Sequence, residues 1–381
     1  FGIQTQISAR NREYQERKKA LTEIQQRLAN LKENPSFKIA WVSDMSSSPV
    51  PAYLLDRGDY SRPGVELKPS PLSFLADADT ESPSESAGKW VAKPRLAFAN
   101  WLTDPDQRAS ALMARVQVNR IWQHYFGEGL VATPENLGLS GASPTHPELL
   151  DWLAGEFIRS GWSLKHLHRL IINSAVFRQS SHDSIEATTE ESRLLNRFPT
   201  QRLDAETIRD CMLAVSGELE PSMGGPYVPV QDRWDGAVIV DDSLPGAYRR
   251  SVYLQQRRTK VLSILQVFDA PVIVINSLRR ARTTMPLQAL TLMNSDFVRA
   301  RSIAFSQRLQ SLDNEESQRI GLAYRIAYSR IPSEAEKKTA MDFLDQQSQF
   351  YEAEGNENFR AMAWIDFCQS ILISNEFLYL D

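Results

Sequence analysis

Beyond Gly88 the apolar residues recur at three- and four-residue steps, in blocks separated by Gly, Pro and Ser/Thr signals. That period belongs to helices that each turn one face inward. The blocks are Arg95 to Leu102, Ala109 to Phe126, Pro147 to Ser160 and Leu164 to Val176, followed by Ala205 to Ser216. Asp204 is placed to cap the last of these and Gly217 to end it. Thr145 or His146 marks another helix start, with Pro147 just inside, where its missing N–H costs nothing. A final helical group covers Pro286 to Gln310, Glu315 to Tyr328, Ser333 to Tyr351 and Asn356 to Ser374. The expected fold is mainly α: a helical bundle body with a small irregular β region and an N-terminal amphipathic helix.

That N-terminal helix is expected within residues 1–34. From Ser8 to Lys32, Tyr14, Leu21 and Leu28 recur every seven residues, with Ile24 and Leu31 on the companion track. So short a seam suits packing against the body of the protein better than a coiled coil. Residues 35–88 read as a small β/loop region. It has strand candidates at Lys38 to Val42 and Ala52 to Asp56, turn chemistry at Arg57-Gly58-Asp59-Tyr60 and Arg62-Pro63-Gly64, and a linker from Asp77 to Gly88. Residues 89–222 form a helical subdomain. Residues 223–285 form a β-containing, Arg-rich insertion with short alternating runs at Ala237 to Val240 and Ser251 to Tyr253. Residues 286–381 form a C-terminal helical subdomain packing on 89–222. A length of 381 residues accommodates such an arrangement as one large core or two to three ordinary ones.

Several classes of function are disfavoured by residue counts. Cys211 and Cys368 are the only two cysteines, too few for a disulfide framework or a four-cysteine zinc site, and neither sits in a CxxCH haem motif. No cofactor is expected in this segment. A net charge of -4 lacks the broad positive field of a non-specific nucleic-acid binder, so any anion site must be local and nucleic acid is not the expected partner. No apolar run approaches the roughly 18 residues of a membrane helix; Ala270 to Ile275 is the most apolar stretch and has strand length. The first residue is Phe1, which suits a processed product or a piece of a longer chain.

Four features carry chemistry. The segment Asn119 to Gly127 sets polar groups among aromatics near a helix C-terminus, with Arg120 and His124 on one face and Asn119 and Gln123 on the adjacent one. Either this face is a pocket wall, with His124 as acid, base or ligand, or the residues simply bond to neighbouring helix ends. Glu206 and Asp210, four apart beside Arg202 and Arg209, are candidates for acid/base work or for an ion-pair network. His166 and His168 point about 200° apart on a helix, His146 sits at a turn and His182 in a polar loop, so no metal site is expected. No GxSxG elbow or phosphate loop is present. The strongest anomaly is the window Arg249 to Arg282. It carries Arg249, Arg250, Arg257, Arg258, Lys260, Arg279, Arg280 and Arg282 against the single acid Asp269. Arginines outnumber lysines 32 to 11 along the whole chain, a bias that favours bidentate contacts to carboxylate, sulfate or phosphate. The window is either an anion site or paired in part with the preceding Asp232, Asp235, Asp241 and Asp242.

The ordered motifs Asn119-Arg-Ile-Trp-Gln-His-Tyr-Phe-Gly-Glu-Gly-Leu-Val131, Pro144-Thr-His-Pro-Glu-Leu-Leu-Asp-Trp-Leu-Ala154 and Gly161-Trp-Ser-Leu-Lys-His-Leu-His-Arg-Leu-Ile171 resemble the planctomycete PSD-type domain of unknown function. So do Phe177-Arg-Gln-Ser-Ser181, Arg202-Leu-Asp-Ala-Glu-Thr-Ile-Arg-Asp210, Arg250-Ser-Val-Tyr253, Phe268-Asp-Ala270, Pro286-Leu-Gln-Ala-Leu-Thr-Leu-Met-Asn-Ser295 and the ending Ser374-Asn-Glu-Phe-Leu-Tyr-Leu-Asp381. The resemblance implies the C-terminal portion of a larger periplasmic or extracellular protein. An upstream module would carry c-type haem, beside a second uncharacterised domain. Many relatives have cysteine where Ser277 stands here, so the resemblance implies no thiol role at that position.

The expected function is an extracytoplasmic scaffold or acidic-ligand-binding module of a cytochrome-linked assembly. Its partners would be the upstream domains, with a sulfated or acidic glycan or an acidic protein surface as ligand, and it is open to oligomerisation. The alternative is a glycan-active hydrolase or lyase, its pocket lined by the Asn119 to His124 segment, Glu206, Asp210 and arginines of the 249–282 window.

Overall fold

The computed structural model describes residues 15, 17–26, 51–67, 70–72, 74–75, 94–181, 193–271 and 278–380. Their order is β1 (Ala52–Leu55), β2 (Pro63–Leu67), α1 (Pro94–Thr103), α2 (Arg108–Phe126), α3 (Pro147–Arg159), α4 (Leu164–Ile172), β3 (Gln201–Arg202), α5 (Ala205–Ser216), β4 (Gln231–Asp232) and β5 (Val238–Ile239). Then follow α6 (Ser263–Val267), α7 (Pro286–Asn294), α8 (Asp296–Leu312), α9 (Glu316–Tyr328), α10 (Glu334–Ala353), α11 (Phe359–Leu372), α12 (Asn375–Leu378) and β6 (Tyr379–Leu380). The fold is mainly α, and the described strands form only two-stranded antiparallel pairs: β1 with β2, β3 with β6, and β4 with β5.

Two main cores organise the helices. In the first, α2, α3 and α4 bury Val118, Trp122, Phe126, Leu153, Phe157 and Leu167, and Phe177, Leu195 and Phe198 close over one end. In the second, α5 packs with α8, α9, α10 and α11 around Ile208, Met212, Phe305, Leu344 and Leu372. Thus α5, which lies by number within the 89–222 block, shares its interior with the C-terminal helices. The short strand β3 leads into that second core by pairing with the chain's own end, Gln201 with Leu380 and Arg202 with Tyr379.

Helix ends follow local chemistry. His146 stands at the N-cap of α3 with Pro147 next to it, and Gly217 ends α5 in the left-handed region (φ 84). At α10 the Ser333 hydroxyl accepts from the Glu336 N–H while the Glu336 carboxylate accepts from the Ser333 N–H, a reciprocal cap. Arg330 then grips both Glu336 and Glu376, tying the start of α10 to α12. The hydrogen bond from Arg330, supported by the Ser333 N–H, pulls the Glu336 carboxyl down to about 2. A depressed carboxyl stabilises the fold above its ordinary value near 4.5 and loses that contribution as pH falls toward 2. A Glu336→Gln variant should therefore show a flatter urea-midpoint profile than the parent across that window. Parallel profiles would contradict the assignment.

Between α5 and α6 the chain forms a small irregular lobe. Arg209, 2% exposed, reaches into it and donates to the carbonyls of Ala247 and Arg249. Arg301 enters from α8 to meet Glu218 and Asp242, its guanidinium between the Tyr248 and Phe297 rings.

Some local expectations change. Ser251 to Tyr253 forms a 3-10 turn, not a strand, because the Asp210 carboxylate accepts from both the N–H and the hydroxyl of Ser251 and pins the chain there. The block Pro286 to Gln310 divides into α7 and α8 at Ser295, which is extended (φ -76, ψ 125). The five-residue helix α6 carried no readable periodicity. Pro63 and Gly64 belong to β2 and not to a turn. Of the N-terminal helix, residues 17–26 are described and helical; Leu21 and Ile24 are exposed, so these two do not pack against the body. Lys38 to Val42, Asp77 to Gly88, His182, Ser277 and most of Ala270 to Ile275 lie outside the described residues. No described helix is long and apolar enough to cross a membrane.

Candidate functional site

A cleft of about 650 Å³ opens where the two cores meet. One wall is the last turns of α2, which present Arg120, Gln123, His124 and Gly127 along one helical face. Trp122 and Phe126 on the opposite face are held in the first core with ring centroids 4.4 Å apart. The opposing wall is the segment 278–284, which carries Arg279, Arg280 and Arg282, and β3 with Asp204 lies beneath it. Five arginines line the cleft against the carboxylates of Glu128 and Asp204.

The arginine segment is tied down from several directions. Arg202, almost fully buried, donates to the Thr283 carbonyl at 2.5 Å, the Phe268 carbonyl at 3.2 Å and Asp269 Oδ2 at 2.8 Å. Asp269, in the left-handed region at φ 64, also accepts from the N–H and hydroxyl of Thr283. Burial pushes the Asp269 carboxyl up, but the bonds from Thr283 and Arg202 together outweigh it and leave it below the usual carboxylate range. Arg280 makes a two-pronged contact with Glu206, at 2.6 and 3.2 Å. Arg282 donates to Gln201 Oε1 at 2.6 Å and stands 3.5 Å from Asp204. Asp204 makes no side-chain cap to α5; its carboxylate faces Arg280 and Arg282 instead.

Gln201 joins the walls. Its Nε2 donates to the Tyr125 carbonyl at the end of α2 while its Oε1 accepts from Arg282. The approach depends on Gly127: a Cβ there would lie 3.0 Å from the Gln201 amide and 3.3 Å from Arg282, at a φ of +80 that side chains rarely adopt. By contrast, Arg120 and His124 are exposed and make no hydrogen bond or ion pair among the described residues.

The structure brings Arg120, His124, Arg279, Arg280 and Arg282 together and sends the other candidates elsewhere. Asn119 is 1% exposed, turned inward to bond both backbone groups of Val131. Arg249 is buried under the lobe, where it donates to the carbonyls of Pro226, Ser222 and Gly224 and stacks 3.8 Å over Tyr253, so it is not available to a ligand. Arg250 pairs with Asp210. Arg257 and Arg258 are exposed at a turn closed by Lys260. Of the acidic stretch, Asp232 meets Lys260, Asp235 meets Arg233 and Asp242 meets Arg301, so Lys260 is the member of the basic window seen in those pairs. Glu206 and Asp210 serve separate networks, one on Arg280 and the other on Ser251. Gln201, Arg202, Asp269 and Thr283 escaped sequence reasoning as site residues, because a two-residue strand and an isolated aspartate have no period.

The other described histidines have structural partners. His166 bonds Glu156 at 2.9 Å, His168 bonds the Tyr125 hydroxyl at 2.8 Å and His146 meets Thr145 at 3.0 Å. Among the described residues no three His, Cys, Asp or Glu side chains cluster to hold a metal ion. Cys211 and Cys368 are free thiols, and burial pushes both up.

The sequence model of PSD1, described as a protein of unknown function (DUF1553), matches residues 94–344, more than half of the chain. No curated protein and no solved structure matches it.

Proposed function

We propose that this chain, which belongs to the PSD1 family, is an acidic-ligand-binding module whose recognition site is the arginine cleft. The observation that carries the reading is convergence: Arg120 and His124 from α2 face a rail of Arg279, Arg280 and Arg282 fixed from the second core. Arginines already held in place, as Arg280 is by Glu206 and Arg282 by the buried Gln201, bind an oxyanion with less entropy lost in ordering loose side chains, and the guanidinium geometry matches carboxylate, sulfate or phosphate oxygens. The cleft remains cationic although the chain as a whole is acidic.

Binding is better supported than hydrolysis or lyase chemistry. The Glu206 carboxylate is engaged by Arg280 and Asp210 by Ser251 and Arg250, while the two carboxylates that line the cleft, Glu128 and Asp204, stand against Arg193 and against Arg280 and Arg282, so each is paired with an arginine. The setting we propose is periplasmic or extracellular, within an assembly whose upstream cytochrome module carries the haem; the support for that setting is the family resemblance of the ordered motifs. Sulfated or acidic glycans and acidic protein surfaces are the ligand classes to screen.

Titration calorimetry at low ionic strength with inorganic sulfate, then with dextran sulfate, tests the site. The double variant Arg120→Ala/Arg282→Ala should weaken binding about tenfold or more, because two charge-assisted contacts are removed. Arg257→Ala/Arg258→Ala should leave sulfate binding within about twofold, since those charges lie away from the cleft. Unchanged affinity in the first variant would refute the cleft as the anion site.

A further inference from the structure

Beside the arginine cleft lies a smaller cavity of about 230 Å³, and the two share Phe126, Glu128 and Pro199 as a common wall. We infer that this annex receives one apolar ring of the bound ligand, so that the cleft's preferred ligand is a small aryl-bearing anion with its charged group among the arginines. The inference rests on the cleft being an anion site and narrows what that anion carries.

The chemistry of the walls supports a ring without hydroxyls. Trp122, Phe126, Leu195 and Pro199 supply apolar surface, and Gly129 adds no side chain. The polar groups present have partners within the protein. Glu128 pairs with Arg193 at 3.4 Å, and the Thr145 hydroxyl meets the Leu130 carbonyl and His146. A sugar ring entering here would exchange its hydration for few free partners, whereas an aromatic ring loses only apolar contact with water. The volume suits a single six-membered ring, and the shared wall keeps such a ring beside the arginine rail.

Leu195 gives an independent reason to regard the annex as built for occupancy. Its φ is 57, in the left-handed region, which a bulky residue adopts only under constraint. Leu195 also packs on the first core beside Phe198, whose N–H donates to the Ser180 carbonyl at 3.2 Å. The strained backbone thus sets a branched side chain on the annex wall, in the loop that continues through Pro199 and Thr200 into the cleft.

The test is calorimetry on the whole chain with methyl sulfate, phenyl sulfate and glucose 6-sulfate. On the parent protein phenyl sulfate should bind about tenfold or more tighter than methyl sulfate, the gain expected from burying one face-to-edge ring. Glucose 6-sulfate should stay near methyl sulfate. Leu195→Trp, which fills the annex, should abolish the phenyl advantage while methyl sulfate still binds as to the parent; methyl sulfate is thereby the folding control. Leu195→Gly, which removes the side chain from the annex wall, should reduce the phenyl advantage while methyl sulfate still binds as to the parent. Equal affinities for phenyl and methyl sulfate, a gain for the sugar sulfate equal to that of the aryl one, or a phenyl advantage that survives Leu195→Trp would each overturn the annex. Failure of methyl sulfate and inorganic sulfate to bind the parent is a different result, and it would remove the arginine cleft itself.

Discussion

Arg209→Leu should destabilise the protein by roughly 3–5 kcal/mol, the range for stripping one partner from a buried charged network. Arg209 is among the largest side chains buried to this degree, and its fork serves the carbonyls of Ala247 at 2.8 Å and Arg249 at 3.0 Å, with Ser251 at 3.3 Å. Leucine fills part of the volume but leaves two backbone carbonyls of the lobe without donors, away from water. Burial lowers the guanidinium to about 10, and the neighbouring Asp210 opposes that fall. The group therefore stays charged at neutral pH, and its loss also upsets the balance with Asp210 and Asp242. Arg209→Lys keeps a charge but lacks the planar fork, so its cost should be intermediate. Urea denaturation followed by tryptophan fluorescence measures both. A Leu variant within about 1 kcal/mol of the parent would show that the lobe does not depend on this anchor.

Asn119→Ala should cost about 2–4 kcal/mol, because one truncation exposes two unmet needs in a dry interior. The Asn119 amide imitates a strand partner for Val131, donating to its carbonyl at 3.0 Å and accepting from its N–H at 2.8 Å. Gly129 makes the approach possible; a Cβ there would fall 2.7 Å from both amide atoms. Alanine leaves the N–H and carbonyl of Val131 unpaired and opens a small void beside the first core. The turn from Gly127 to Val131 sets the end of α2 and hence the Arg120 wall, so sulfate affinity should fall with stability. Asn119→Asp should be worse than its size suggests, since a carboxylate accepts but cannot donate to the Val131 carbonyl. Thermal melting together with sulfate titration of the two variants checks this, and a melting temperature equal to the parent's for Asn119→Ala would contradict it.

These two residues show what was legible in the sequence and what was not. The segment Asn119 to Gly127 stood out because polar groups sat among aromatics, and helical spacing correctly put Arg120 and His124 on one face. The same spacing cannot say which face looks inward. Asn119 turned out to complete the backbone of a turn twelve residues on, while Arg120 and His124 stand at the cleft. The basic window divides in the same way. Its composition marks all eight cations alike, yet Arg249 is consumed by carbonyls of its own lobe and Arg279, Arg280 and Arg282 reach the cleft. Charge is countable in a sequence; the acceptors that neutralise it lie on other segments. Glu206 and Asp210 likewise share one helix, but Arg280 claims one and Ser251 the other.

By itself the sequence determined the longer helices, most of their ends and the mainly α character of the described residues, because apolar period, capping residues and prolines act over a few neighbouring positions. It also determined that any anion site had to be local, since the net charge is negative. Tertiary structure alone decided where the proposed site lies. Gln201 and Arg282 meet across 81 residues of chain, Arg202 and Asp269 across 67, and β3 finds its partner strand at the chain's end. Contacts at such separation depend on how two cores pack against each other, a balance of buried apolar area and satisfied polar groups that no short stretch encodes.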